Sequence, residues 1–148
     1  MKNSIDTKYN MNMKGVITIT NTKTGEVREF TNLVTNVFFN AIAKFFTGSP
    51  SNGIRYFAVG TGTTTAVATM TALTTEYVEP RKLISNLSTA DSEMIFLVTI
   101  DATDFVGQWN ELGLFEDSST GSMYTIANID YEHITGEILN ITYKISRV

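Results

Sequence analysis

The sequence predicts a mainly β fold, an antiparallel β-sandwich of about seven to nine strands with one amphipathic helix near the N-terminus. Three observations predict it. Thr, a β-branched residue suited to a pleated, half-exposed surface, supplies 23 of the 148 residues. Short runs of alternating or wholly apolar residues recur between clusters of Gly, Asn, Ser and Asp. A helical period occurs once, over residues 34–47.

Each element has its own signal. Val16-Ile-Thr-Ile-Thr20 and Glu26-Val-Arg-Glu-Phe-Thr31 alternate around the turn Asn21–Gly25, which predicts a β-hairpin. Val34, Val37, Phe38, Ala41, Ile42, Phe45 and Phe46 then fall at i, i+3, i+4, i+7, i+8, i+11 and i+12, one face of an α-helix. Thr35 or Asn36 suits its start, and Gly48 and Pro50 end it. Its Phe-rich face must be buried, against the sheet or against sister helices. Ile54-Arg-Tyr-Phe-Ala-Val59 is apolar on both faces and reads as a central strand. Residues 61–75 carry neither period. Leu83 and Ile84 begin another strand after Pro80, and Met94–Ile100 reads as a buried one. Leu112–Phe115 and Met123–Ile129 form a hairpin around a polar loop. Leu139, Ile141, Tyr143 and Ile145 alternate with polar residues in a final strand with one wet face. Trp109 and most Phe lie inside periodic segments, as core residues do.

The length suits a single domain over residues 16–148, preceded by a polar arm, residues 1–15. Ile5, Tyr9, Met11 and Met13 punctuate that arm, which is either a frayed terminus or a segment that docks on a neighbouring subunit. Charged residues make up 18% against roughly 25% in an average soluble protein. Such a surface suits subunit packing, because few charges need desolvation. Net charge is −4 and the basic residues form no run, which argues against nucleic acid as a partner. No segment approaches a membrane helix, so a membrane is not expected either. There is no Cys, which excludes disulfides and thiolate metal sites. Residues 1–15 lack the apolar core of a signal peptide, so synthesis in the cytoplasm is expected.

No residue pattern predicts catalysis, a metal site or a cofactor. Gly60-Thr-Gly62 suggests a phosphate cradle, but no Lys and no helix follow it. The expectation is that the two Gly supply unusual backbone angles at a sharp turn. His133 is the only histidine, expected in a solvated loop before the last strand. The carboxylates Glu76, Glu79, Asp101, Asp104 and Glu111 show no pairing suited to glycoside hydrolysis. Glu111 sits between Trp109 and Leu112-Gly-Leu-Phe115, so its charge needs a partner. Arg81 is the expected one, tying the 61–81 segment to the later strand, with Glu76 as the rival for Arg81. The Ala- and Thr-rich loop 61–75 is expected to pack on a neighbouring subunit.

The order of these markers resembles a family. A strand ending in Val59-Gly-Thr-Gly-Thr-Thr, then Leu73, Glu76 and Arg81, an apolar strand, and Glu111-Leu-Gly-Leu-Phe115 is similar to small structural proteins of tailed bacteriophages. Phe30-Thr-Asn-Leu-Val-Thr-Asn36 leading into a helix is similar as well. The resemblance covers residues 26–146. It implies an all-β, multimeric, non-enzymatic virion component of the tail, baseplate, collar or fibre-attachment region. The implied partners are copies of itself and other virion structural proteins. The alternatives are a host-receptor or glycan-binding module of the tail and a capsid decoration or head-fibre protein.

Overall fold

The computed structural model describes residues 12–49 and 53–148. It contains nine β-strands and one short helix: β1 Met13–Asn21, β2 Val27–Val34, α1 Asn36–Phe46, β3 Tyr56–Gly60, β4 Lys82–Leu83, β5 Asn86–Ala90, β6 Glu93–Ile100, β7 Gly107–Phe115, β8 Met123–His133 and β9 Leu139–Arg147. All pairings are antiparallel, in the order β4-β3-β7-β8-β2-β1-β9-β6-β5. The sheet is curled into a half-barrel. β2 makes the bend, pairing with β1 through Asn32 and then with β8 at Leu33 and Val34. The outer strands β4 and β5 are joined by Ile84 and Ser85, whose N–H groups donate to Arg55 and Leu97 carbonyls. The curl brings Phe57 of β3 against Tyr143 of β9, ring centroids 6.2 Å apart. One main core fills the concave side, with Ile17, Phe57, Val98, Trp109, Leu112 and Ile141 among its buried residues.

Several elements differ from expectation. β1 begins at Met13, whose side chain packs on the main core, so the body starts three residues before Val16. The rest of the arm, residues 1–11, lies outside the described residues. The helix starts at Asn36, because Val34 is the buried last residue of β2. Thr35 takes the N-cap position but makes no cap bond. Its hydroxyl donates to the Met123 and Tyr124 carbonyls at 2.7 and 3.1 Å, fixing the helix start to β8. His133 ends β8 and is 1% exposed, not solvated in a loop. β5 is an extra strand, exposed along its whole length. It turns into β6 through Asp91 and Ser92, at φ 50° and 67°, the handedness a two-residue hairpin needs.

A second, smaller core lies on the convex side of β3, β7 and β8. Ala58, Leu73, Phe115, Met123 and Ile126 form it, with Ala66 and Met70 packed on top. Loop 61–75 therefore lies on its own sheet. That is why the β3 segment is apolar on both faces.

Candidate functional site

The geometry concentrates at three places: a buried carboxylate, an arginine above Phe115, and an apolar groove beside the helix.

The carboxylate is Glu111, fully buried. A register shift between Trp109 and Glu111 in the β7–β8 pairing changes the phase of β7. Trp109 and Leu112 both face the main core, and Glu111 is turned to the convex side beneath loop 61–75. Re-aiming a side chain is what such a bulge does. There Glu111 accepts three backbone N–H groups, from Gly62 at 3.2 Å, Thr74 at 3.0 Å and Thr75 at 2.7 Å. Those bonds satisfy the charge without a cation. Asn110 donates to the Thr61 carbonyl, and Asn128 of β8 holds the Thr64 carbonyl and the Ala66 N–H. The loop has no regular structure of its own and is fastened by side chains from the strands beneath it.

This explains Gly60 and Gly62 differently from the sequence. Neither has a positive φ. A Cβ on Gly60 would lie 2.4 Å from Glu111 Oε1, and one on Gly62 would lie 2.7 Å from it and 2.6 Å from Thr74 Cβ. The two Gly make room for the carboxylate. Gly62→Ala is expected to cost about 2 kcal/mol by overpacking. In a Glu111→Ala background its cost should shrink only in part, because the Thr74 Cβ contact remains, which a double-mutant cycle of denaturant melts checks.

Arg81 does not pair with Glu111. Its Nε and Nη2 donate to Glu76 at 3.1 and 3.0 Å, so the rival partner is the observed one. Nη1 donates to the Asp117 and Thr120 carbonyls at 2.9 and 2.7 Å. The guanidinium lies 3.6 Å above the Phe115 ring. It thus roofs the smaller core and holds the β7–β8 connection to the segment after the loop. Glu76 is placed by an isolated bridge between its backbone and Gly60.

Lys82, Asp104 and His133 are fasteners too. Lys82 bridges Asp101, at 3.1 Å, and Asp104. The hydrogen bond to Asp104 is the main cause raising the Lys82 pKa. Burial pushes the Asp104 carboxyl up, but the Lys82 hydrogen bond and the Asp101 N–H outweigh it and hold it below the usual value. Both His133 ring nitrogens lie 2.7 Å from backbone carbonyl oxygens, Nδ1 from Asp104 and Nε2 from Glu137. The ring also stacks edgewise on Trp109. Trp109 is itself fully buried, its indole N–H donating to the Phe105 carbonyl at 2.7 Å. Among the described residues no group of three or more His, Asp and Glu side chains is placed to hold a metal ion. No described helix is long and apolar enough to cross a membrane.

The groove lies where α1 leaves the sheet. Phe38 is the only buried residue of the helix. One turn on, Ala41 and Ile42 still pack on the main core, but two turns on the face stands clear of it: Phe45 is 75% exposed and Phe46 81%. The two rings pack edge to face with each other, 5.6 Å apart. Between them and Met94 and Phe96 of β6 runs an almost wholly apolar groove of about 450 Å³, floored by Ile54 and Tyr124. Leu87 of β5, opposite Phe96, is 52% exposed.

No family model, curated protein or solved structure matches this chain.

Proposed function

We propose that this protein is a non-enzymatic structural component of a tailed phage virion, an oligomeric adaptor in the tail, collar or fibre-attachment region. The observation that carries the adaptor reading is the uncovered C-terminal end of the apolar face of α1, at Phe45 and Phe46. Two exposed, adjacent Phe beside an apolar groove form the kind of surface that soluble proteins keep for partners. Covering both rings is worth about 3–5 kcal/mol. The virion assignment rests on the order of sequence markers set out above. The partners are copies of this chain and other virion proteins, and its place after synthesis in the host cytoplasm is the particle.

The work proposed is geometric. The body is sandwich-like, with β3 and β7 facing β9 and β6 across the main core. The bonds from Glu111, Asn110 and Asn128 hold loop 61–75 on the convex side. Its outward Thr side chains then present a fixed, uncharged surface to a neighbour. A glycan-binding role would be favoured by aromatic side chains on loop tips. Here the exposed aromatic pair is on the helix.

Two tests apply. Phe45→Ser with Phe46→Ser should leave the melting temperature within about 2 °C, because both side chains are mostly exposed. It should reduce the mass measured by light scattering to that of one chain. An antibody to the protein should label intact phage particles at one location. Finding the protein only in lysate, never in particles, would overturn the virion assignment.

A further inference from the structure

His133 is the only histidine of the chain, and it is buried to 1% exposure as the last residue of β8. It lies opposite Gly107, the first residue of β7, so its ring sits where two chain connections meet. One is the β6–β7 connection, residues 101–106, and the other is the β8–β9 turn, residues 134–138. The backbone joins them once, through the Gly136 N–H to the Ala102 carbonyl at 3.0 Å. The His133 ring joins them again, with Nδ1 2.7 Å from the Asp104 carbonyl oxygen and Nε2 2.7 Å from the Glu137 carbonyl oxygen.

Both neighbours are carbonyl oxygens, which accept hydrogen bonds and cannot donate them. A neutral imidazole has one N–H and one bare lone pair. In either tautomer one ring nitrogen would face a carbonyl lone pair to lone pair, at hydrogen-bond distance and in a site closed to solvent. Only the doubly protonated imidazolium donates to both oxygens, and a charged donor makes each bond stronger.

The surroundings suit a cation. The ionisable groups on the neighbouring elements are Asp101 and Asp104 in the β6–β7 connection, Glu137 in the β8–β9 turn, Glu79 bonded to the Phe105 N–H, and Lys82 of β4. Glu26 and Arg28 lie near Tyr131, two residues before His133. The acids outnumber the bases, and Lys82 is already held between Asp101 and Asp104. Burial pushes the Tyr77 and Tyr131 phenols up, so both stay neutral. The β6–β7 connection also has a reason to need holding. Phe105, next to Asp104, sits at φ 47°, a conformation that a bulky side chain adopts only when its surroundings impose it.

We propose that His133 is a proton-operated clamp: with hydrogen on both ring nitrogens it ties the β6–β7 connection to the β8–β9 turn, and it releases one of them when it loses a proton. Histidine changes charge between about pH 5 and 8, a range over which carboxylates stay ionised. The folded protein keeps the proton that the unfolded chain gives up on going up through that range. The clamp therefore contributes fully at the acid end, and its contribution is lost as pH rises.

With a single histidine, the ring is read without ambiguity. NMR of the isotope-labelled intact chain at about pH 7 should find hydrogen on both ring nitrogens. One bare ring nitrogen at that pH would overturn the clamp. Raising the pH to about 9 should remove the second hydrogen and move the backbone amide signals of Phe105 and Gly136 with it. A ring that keeps both hydrogens there, or amides that stay still while it titrates, would overturn the switch. His133→Gln supplies the stability comparison. It should melt below the parent at about pH 5.5, and the gap should narrow by about 5 °C at about pH 9. A gap of the same size at both ends would also count against the proposal.

Discussion

Replacing Glu111 with Gln should lower stability by about 3 kcal/mol, the cost of leaving buried N–H groups without their charged acceptor. For a chain of this size that is roughly 10 °C in melting temperature. Gln matches the shape of Glu but offers one acceptor oxygen and an NH2 group that faces donors. The N–H groups of Gly62, Thr74 and Thr75 converge on both carboxylate oxygens, so a single carbonyl cannot serve them all. Loss of the clamp should also free loop 61–75 first, seen as faster hydrogen exchange at Thr74 and Thr75 before global unfolding. Glu132→Gln, at an exposed position of β8, is the control and should stay within about 0.5 kcal/mol. Equal melting temperatures for Glu111→Gln and the parent would show that the carboxylate has no structural importance.

Arg81→Lys should be the next most damaging change, at about 2 kcal/mol despite conserving the charge. A Lys ammonium is a point charge with three donors. It cannot lie flat on Phe115 while meeting both Glu76 oxygens and two carbonyls. The Arg81 side chain is only 7% exposed, so solvent does not stand in for the lost bonds. Arg81→Ala should cost more than Arg81→Lys, because it also uncovers Phe115. Thermal melts of the two variants beside Glu76→Gln would check the order. Glu76→Gln should be mildest, since its partner keeps both carbonyls and the Glu76 side chain is 30% exposed. If Arg81→Lys melts with the parent, the planar fork is irrelevant.

How much of this was readable in the sequence follows from how each element earns its stability. β1 and β9 bury one face and wet the other, and β2 half-buries one, so period two marks them plainly. The same alternation locates Leu139, Ile141, Tyr143 and Ile145, all fully or nearly fully buried. β5 is exposed throughout and is held by backbone pairing to β6, so no burial pattern records it. The helix shows the reverse problem. Its period is real, but Val34 belongs to the strand before it, and Phe45 extends past the sheet that would cover it. Periodicity reports which residues share a face and says nothing of whether anything covers that face.

The site was legible in its parts more than in its pairing. Glu111, Arg81, Glu76 and the two Gly all take part in one fastening of loop 61–75 and the segment after it. A carboxylate in an apolar run did signal a buried charge. The sequence points to a cation as its partner, because backbone N–H groups leave no mark in a sequence. A bulge in β7 is equally silent, though it sends Glu111 and Trp109 to opposite sides of the sheet. The helpful signal was Gly60 and Gly62 together: Gly where a strand leaves the sheet can mean close approach as well as an unusual φ. His133 reads as a loop residue in the sequence because its two bonds are to carbonyls brought near only by folding, from Asp104 and Glu137.

The central claim is that the apolar face of α1 is covered by association of copies of this chain. Light scattering coupled to size exclusion on the full chain tests it most directly, at tens of micromolar and at physiological salt. The account predicts a discrete oligomer that falls to a single chain of 16.4 kDa when Phe45 and Phe46 are replaced by Ser. A parent protein that elutes as a well-folded 16.4 kDa monomer across that range would contradict it.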